Sequence, residues 1–191
     1  MTINAALSDA VKRFSPYAGL DDAPGKPLAV EAWTPSFCGD IDMRIAYDGT
    51  WFHNGSPILR PAMVQLFGRI LRKEGDSYFL VTPVEKVGIT VDDVPFIAVE
   101  MTAEDGRLTF RTNVGDTLTA DAGHPMRFET AEDGFKPYIC VRNGLYARLS
   151  RTLSQDLVAL AEVAEQKGER WFGVWSSGTF FAIAKADAVL D

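Results

Sequence analysis

The stretch CGDIDMRIAYDGTWFHNGSPILR, residues 38–60, decides how the rest of the chain is organised. Two alternating runs flank Asp48-Gly49, a dipeptide typical of two-residue hairpin turns because both central positions need a positive φ. A Ser-Pro break and an amphipathic helical pattern follow. The stretch therefore predicts a β-hairpin that leads into a helix.

The two-residue turn also sets a register for this hairpin, in which Arg44 lies opposite His53. Because directly opposed residues share a face, one face becomes apolar and the other polar. The apolar face collects Ile41, Met43, Ile45, Tyr47 and Phe52. The polar face collects Asp40, Asp42, Arg44, Trp51 and His53. An exposed Trp among charged side chains is typical of a recognition surface, but a second layer packed over this face, from the N-terminal helix or the other domain, is the slightly favoured explanation.

The whole chain has an ordinary globular composition with an acidic balance. Its 191 residues are 47% hydrophobic, and the formal net charge is −7. This charge disfavours nucleic acid and anionic membrane surfaces as partners. No apolar run approaches the roughly 20 residues of a membrane-spanning helix, and the N-terminus lacks the pattern of a secretory signal, so no membrane insertion is expected. Cys38 and Cys140 are the only cysteines, which favours a reduced, cytoplasmic protein.

Breaks in the pattern divide the chain into three parts. Residues 2–14 predict an amphipathic helix, and a connector rich in proline and glycine follows, with a short turn near Glu31–Trp33. We expect the helix and connector over 1–36, an N-terminal α+β domain over 37–95 and a C-terminal α+β domain over 96–191.

Each predicted domain contains one amphipathic helix that ends at a glycine. In the first domain, Pro61 suits the first helical position and Gly75 is placed to end the helix. In the second, Thr152 and Gln155 form a capping box, and Gly168 closes the helix.

Three further hairpins are centred on x-Gly dipeptides, namely Asp105-Gly106, Asn143-Gly144 and Ser177-Gly178. The register about the first of them places Glu104 opposite Arg107, Glu100 opposite Arg111, and Met101 opposite Phe110. Two opposite-charge pairs and one apolar pair support that register.

The two halves of the chain repeat the same order of elements. Each shows a hairpin with an x-Gly turn, one amphipathic helix, and an aromatic strand after a Gly-acidic break. The segment GDSYFLV at 75–81 aligns with GERWFGV at 168–174. These matches favour a duplicated β-hairpin–helix–β-hairpin motif with antiparallel sheets over the chance recurrence of a common order.

Metal-binding patterns are weak in this sequence. His53 and His124 both lie away from other ligands at metal-binding spacing, so no metal and no cofactor is indicated. Asp40 and Asp42 suit a hard cation, but an ion pair with Arg44 on the same face is the favoured explanation.

Catalytic patterns are equally weak. A nucleophilic pair of Cys38 and His53, oriented by Asp40, is a minor candidate because a lone cysteine is usually a small buried hydrophobe. No nucleophile elbow, P-loop or dinucleotide-binding fingerprint is present. The segment TPVEK at 82–86 lies at a kinked strand end, where its charges are either a second recognition feature or ordinary surface.

Four segments carry a family resemblance: CGDIDMRI (38–45), DGTWFHNGSPI (48–58) with Arg60, YFLVTPVEK (78–86) and VDDVPF (91–96). Together they resemble a bacterial family known as domain of unknown function 1285, over nearly the whole chain after the N-terminal helix. The motif residues here are Cys38, Asp40, Asp42, Arg44, Trp51, Gly55, Ser56, Pro57, Arg60, Thr82, Pro83, Glu85 and Lys86. The resemblance implies a two-domain α+β protein with a repeated motif, a pleckstrin-homology-like C-terminal domain and a role in signalling. It carries over no catalytic residue.

Three functions remain open on these grounds. The first is a cytoplasmic binding or signalling module that holds a small molecule or a protein partner near the domain interface. Its candidate ligand-binding residues are Asp40, Asp42, Arg44, Trp51, His53, Ser56, Arg60, Thr82, Glu85 and Lys86. A lipid headgroup is disfavoured because no Lys/Arg cluster is present.

The second function is that of a small hydrolase-like enzyme with Asp40, Asp42 and His53 in acid–base roles. The third is a structural protein that forms homo-oligomers, for example through the aromatic hairpin at the C-terminal end of the chain.

Overall fold

The computed structural model describes residues 28–132 and 134–190 of the chain. Over these residues the protein is mostly β, with fifteen strands, three α-helices and one 3₁₀ helix. The chain divides into two compact, sheet-rich units between Pro95 and Phe96. The α+β expectation therefore gave helix too large a share, and the helix predicted over 2–14 lies outside the described residues.

The N-terminal unit is built on one six-stranded sheet and one α-helix. Its strands are β1 (Phe37–Ile45), β2 (Trp51–His53), β3 (Ser56–Pro57), β4 (Leu71–Glu74), β5 (Ser77–Val81) and β6 (Lys86–Val91). They lie in the order β3-β2-β1-β6-β5-β4. Strands β1 and β6 pair in parallel, whereas the other neighbours are antiparallel. The sheet is therefore mixed and not purely antiparallel as expected.

The first hairpin has a register that differs by one residue from the predicted one. Ile45 lies opposite Trp51, and the N–H of Gly49 donates to the carbonyl oxygen of Ala46 at 2.9 Å. Gly49 has a positive φ of 83°, whereas Asp48 does not. The connection is therefore a three-residue loop with a glycine bulge and not a two-residue turn.

This one-residue difference exchanges the two faces of the hairpin. Trp51 shares the core face with Met43 and Ile45, and it is 1% exposed. Its ring stacks on that of Phe67 with a centroid distance of 5.9 Å. Phe52 lies on the opposite face, beneath the guanidinium of Arg44. The prediction of Trp51 on a polar recognition face was wrong.

The helix of this unit, α1 (Pro61–Arg69), begins at the predicted proline. Its buried residues include Met63 and Phe67, which lie on the predicted apolar stripe. The helix ends well before Gly75, because the residues from Leu71 onward pair with β5. Gly75 has a positive φ and turns the chain between β4 and β5. A 3₁₀ helix, Val30–Ala32, occupies the place of the short turn expected in the connector.

The C-terminal unit holds two sheets. The first contains β7 (Phe96–Glu104), β8 (Arg107–Thr112), β9 (Thr117–Thr119), β10 (Met126–Ala131), β11 (Gly134–Arg142) and β12 (Leu145–Leu149), in the order β10-β11-β12-β7-β8-β9. Strands β12 and β7 are parallel, and the register predicted for β7 and β8 is confirmed. The opposed Glu100 and Arg111 form an ion pair.

A helix and a three-stranded meander complete this unit. They are α2 (Arg151–Ala159), β13 (Glu162–Gln166), β14 (Glu169–Ser176) and β15 (Thr179–Lys185), followed by a one-turn helix, α3 (Asp187–Leu190). The side chain of Ser150 caps α2 by accepting from Leu153, so the capping residue is Ser150 and not Thr152. Gly168 does not close α2 as predicted, because it lies in the turn between β13 and β14.

Ser176 joins the meander to the larger sheet of the C-terminal unit. Its side chain is fully buried, and its hydroxyl accepts from the N–H of Leu108 at 2.9 Å. The same hydroxyl donates to the carbonyl oxygen of Ala120 at 2.6 Å. Both backbone groups are buried and need a hydrogen-bond partner. The serine therefore links β14 to the start of β8 and to the residue that follows β9.

Candidate functional site

An open groove lies over strands β1, β5 and β6, within the N-terminal unit. Its volume is about 630 Å³. Three aromatic residues and three ionisable ones are among its lining residues, namely Phe37, Tyr78, Phe79, Asp40, Asp76 and Lys86. We call it the Asp40 groove. It combines an apolar wall with a few polar groups, as ligand-binding sites commonly do.

The floor of the Asp40 groove is made by a close approach between Asp40 and Gly88. The carboxylate oxygen Oδ1 of Asp40 lies 1.9 Å from the position that a Cβ atom on Gly88 would take. The ring of Phe37 borders the same space, at 3.7 Å from that position. A larger residue at position 88 would displace the Asp40 side chain, so the glycine permits this close approach inside the strand. Among the described residues, the Asp40 carboxylate has no hydrogen-bond or ion-pair partner.

Two phenylalanine rings form the apolar wall. Phe37 and Phe79 meet edge to face, with centroids 5.9 Å apart. The ammonium of Lys86 lies over the Phe79 ring at 4.8 Å from its centroid, a cation–π contact. The groove thus already holds one internal cation against its aromatic wall.

The charge of Lys86 is balanced by Glu74. The Lys86 ammonium donates to the Glu74 carboxylate at 2.9 Å, and the buried Arg72 guanidinium contacts the same carboxylate. The hydrogen bond from Lys86, and then that from Arg72, lowers the pKa of Glu74. Arg72 also donates to the carbonyl oxygen of Trp33 at 2.8 Å and so ties the 3₁₀ segment to β4. Arg72 is thus a structural residue that sequence reasoning did not single out.

Comparison with known proteins identifies the family. The profiles of DUF1285, described as a domain and a protein of unknown function, match residues 28–94 with the N-terminal domain and 95–183 with the C-terminal domain. The chain belongs to the DUF1285 family. The resemblance noted on the sequence motifs, and the two-domain architecture that it implied, are thereby confirmed.

Two solved DUF1285 structures resemble this chain. A protein from Silicibacter pomeroyi DSS-3 is 46% identical, with a TM-score of 0.82 over 93% of this chain and 98% of its own. A protein from Shewanella baltica OS155 is 28% identical, with a TM-score of 0.52 over 61% of this chain and 90% of its own. No curated protein is detectably similar to this chain.

The DUF1285 motif residues do not form one cluster. Asp40 and Lys86 line the Asp40 groove, but Ser56 lies in β3 and the exposed Arg60 precedes α1. The buried Thr82 accepts through its hydroxyl from the N–H of Glu85 at 3.1 Å and thereby closes the turn before β6. Thr82 is therefore explained by local structure.

The acid–base group considered for an enzyme is not assembled. His53 lies opposite Met43 on the core face, and its Nδ1 atom is buried without a hydrogen-bond partner among the described residues. Asp42 is exposed and precedes Met43 in β1, so its side chain points to the other face. Cys38 is separated from Met43 by a strand length on the order of 15 Å, which also separates it from His53. Cys38 and Cys140 are both free.

Arg44 pairs with a residue that sequence reasoning did not select. Its guanidinium donates to both carboxylate oxygens of Asp92, at 2.8 and 2.5 Å. The expected ion pair of Arg44 with Asp40 or Asp42 is therefore wrong. The parallel pairing of β1 with β6 brings Asp92 into reach, because Ile45 lies opposite Val91. Within the described parts of the chain, no three metal-ligating side chains lie together, and no helix is both long and apolar enough to cross a bilayer.

The Arg44–Asp92 ion pair predicts a dependence of stability on pH in the acid range. The hydrogen bond from Arg44 lowers the pKa of Asp92 below its ordinary 3.8. The stabilisation is therefore fully present above about pH 4 and is lost as the pH falls through the lowered pKa of the folded state. We expect Asp92→Asn to reduce the free energy of unfolding modestly at pH 7 and hardly at all near pH 2, because the pair is partly exposed.

Urea denaturation of the wild type and Asp92→Asn at both pH values measures this difference. Asp42→Asn is the matched control, since it removes an exposed carboxylate of the same unit that forms no ion pair among the described residues. An equal loss in both variants, or a loss in Asp92→Asn that persists at low pH, would contradict the assignment.

Proposed function

We propose that this protein is a binding module and that the Asp40 groove holds its ligand. The observation that carries the proposal is the Asp40 carboxylate, held over Gly88 beside Phe37 and without a partner among the described residues. Because Asp40 is exposed, its carboxylate is accessible and can pair with a ligand that also contacts the aromatic wall. The proposed site keeps Asp40 from the predicted polar hairpin face and takes its other lining residues from β1, β5, β6 and the turn before β5.

The size of the groove supports a small ligand. Its volume of about 630 Å³ falls within the range of roughly 300–1,000 Å³ typical of small-molecule sites. The separation of His53 from Asp42 weighs against the enzyme alternative, because acid–base catalysis needs such groups within reach of one substrate. We therefore prefer binding over catalysis for this site.

A signalling role in the cytoplasm is part of the same proposal. The two free cysteines and the acidic balance of the chain support a reduced compartment and a partner other than nucleic acid. A protein partner for the module is the second arm of this proposal, and the exposed Phe37 is the side chain best suited to contact it.

Two finer statements about the fold belong to this proposal as well. The first is an internal duplication, supported by the order hairpin, helix, meander, which runs from β1 to β6 and again from β11 to β15. The second is a pleckstrin-homology-like C-terminal unit, supported by its antiparallel strands and single longer helix. The C-terminal unit contains two sheets where the N-terminal unit contains one, and this difference weighs against both statements.

Homo-oligomer formation is a second candidate function. It is favoured by Trp175, an exposed tryptophan on β14 whose ring lies 5.1 Å from that of Phe180. Large exposed aromatic side chains are enriched at protein interfaces. A monomeric mass in solution scattering, unchanged by concentration, would rule this candidate out.

A thermal-shift screen of metabolites against the full-length protein tests the groove. We expect at least one compound to raise the melting temperature of the wild type, and Phe37→Ala to abolish that shift. Leu59→Ala is the matched control, because Leu59 is also an exposed apolar residue of the N-terminal unit but does not line the groove. A screen without hits, or hits that survive in Phe37→Ala, would refute the proposal.

A further inference from the structure

The charges that line the Asp40 groove are unbalanced. Asp40 and Asp76 contribute carboxylates, and Lys86 is the lining residue with a positive charge. Lys86 also pairs with Glu74 at 2.9 Å, and its single positive charge is outnumbered by the two lining carboxylates. The groove therefore carries a negative potential, which attracts a cation and repels an anion.

The aromatic wall favours the same sign of charge. The faces of aromatic rings carry negative partial charge, so they attract ammonium and guanidinium groups. The ring of Phe79 already carries the Lys86 ammonium at 4.8 Å, which shows that a cation fits against this wall. Phe37 lies next to it and is 54% exposed, so part of its surface is available to a ligand.

We propose that the ligand of the Asp40 groove is a small organic cation, an amine or a guanidinium compound. The charged group of the ligand pairs with the Asp40 carboxylate over Gly88, and its apolar part lies against Phe37 and Phe79. This inference rests on the proposed binding function and adds the charge and chemical class of the ligand.

Lys86 and Asp40 are expected to affect ligand affinity in opposite directions, and the directions depend on the charge of the ligand. An anionic ligand would depend on the Lys86 ammonium and would gain from the removal of Asp40. A cationic ligand depends on Asp40 and competes with Lys86 for the ring of Phe79. Replacing Lys86 would leave Glu74 paired with Arg72 and would remove the one positive charge among the lining residues, which makes the groove more negative. The two replacements therefore change affinity in opposite directions, and the directions reveal the charge of the ligand.

The experiment titrates the full-length protein with three probes that share one ring and differ in charge: phenethylamine, neutral 2-phenylethanol and anionic 3-phenylpropionate. Binding is followed by chemical-shift changes in NMR spectra, because weak affinities are expected for an exposed site. We expect phenethylamine to bind most tightly, and Asp40→Asn to weaken it by about fivefold, the upper value for one exposed charge pair. We expect Lys86→Gln to tighten it by roughly twofold to fivefold through the freed ring.

Asp42→Asn is the matched control and should leave the affinity for phenethylamine unchanged, since Asp42 does not line the groove. Circular dichroism of each variant verifies that it folds. Tighter binding of 3-phenylpropionate, with the opposite responses to Asp40→Asn and Lys86→Gln, would overturn the cation while the binding function stands. If none of the three probes binds, the cation is also overturned, and the metabolite screen then decides separately whether the groove binds anything.

A blocked lysine, N-acetyl-lysine N-methylamide, identifies the source of the cation. We expect it to bind no more tightly than phenethylamine. Clear preference for the blocked lysine would overturn the assignment to a small molecule and would point to a basic side chain of a partner protein.

Discussion

Replacing Trp51 by alanine is expected to lower the free energy of unfolding of the N-terminal unit by about 3–5 kcal/mol, the usual cost of removing a fully buried large aromatic side chain. Trp51 is 1% exposed and stacks on Phe67 of α1, so its removal opens a cavity between β2 and the helix. Urea denaturation followed by far-UV circular dichroism measures the loss without relying on the fluorescence of the deleted residue.

Trp51→Phe is the conservative counterpart. The indole Nε1 of Trp51 is buried and has no hydrogen-bond partner among the described residues, so phenylalanine removes an unsatisfied donor while it keeps most of the contact with Phe67. We expect the decrease in the free energy of unfolding to be less than half of that in Trp51→Ala. Trp175→Ala, at an exposed tryptophan, should cost far less still. A loss below about 1 kcal/mol in Trp51→Ala would instead fit the exposed position that the two-residue turn implied.

Replacing Gly173 by alanine is the second large effect that we expect, with a loss of about 3 kcal/mol or more, at or above the upper end of ordinary overpacking. A Cβ atom at this position would lie 2.3 Å from the carbonyl oxygen of Phe181 and 3.0 Å from the Cα atom of Ala182. Both are backbone atoms of the paired strand β15, so relief requires β14 and β15 to separate locally. The ring of Phe180, 2.7 Å away, adds a side-chain clash.

Gly123→Ala is the matched control for this prediction, because Gly123 lies in the same unit and its nearest atom is a side-chain oxygen of Asp121 at 3.3 Å. That oxygen accepts from the backbone N–H groups of Gly123 and His124, both at 2.8 Å, but a small shift relieves the contact, so we expect a loss below about 1 kcal/mol. Thermal unfolding of the two variants beside the wild type compares them directly. Equal stability of both variants would show that β14 and β15 do not approach each other as closely at Gly173 as described.

The sequence predicts a turn correctly where the residues favour one loop type, and less well where the same residues are compatible with two loop types. Asp105-Gly106 has positive φ at both positions and yields the predicted register. Asp48-Gly49 has positive φ at the glycine alone, and its three-residue loop moves Trp51 into the core. A dipeptide of this kind is compatible with both loops, and the packing of Trp51 on α1 selects between them.

Both helix ends were predicted too late for a similar reason. Leu71–Glu74 and Glu162–Gln166 continue the helical stripe of apolar residues, yet each pairs as a strand with the segment that follows. Pairing across a tight turn supplies backbone hydrogen bonds that outweigh a weak helical preference in a short segment. Gly75 and Gly168 serve those turns with a positive φ.

The candidate site was only partly within reach of the sequence. Asp40 and Lys86 were predicted as site residues. The other residues that line the groove with them, Phe37, Phe79 and Gly88, are brought together by the parallel pairing of β1 with β6. Parallel pairs join distant segments and leave no local turn signal. The isolated Gly88 between Val87 and Ile89 was the available signal, since a glycine inside a strand marks a close approach of other atoms.

The parallel pairing of β1 with β6 runs beneath the Asp40 groove. Phe37 and Asp40 belong to β1, whereas Phe79 and Gly88 belong to β5 and β6, so a ligand in the proposed site would contact strands on both sides of this pairing. Such binding would stabilise the paired strands β1 and β6 against local separation, by about 1.4 kcal/mol at a ligand concentration ten times the dissociation constant. The expected consequence is slower amide hydrogen exchange along β1 and β6 when the ligand is present.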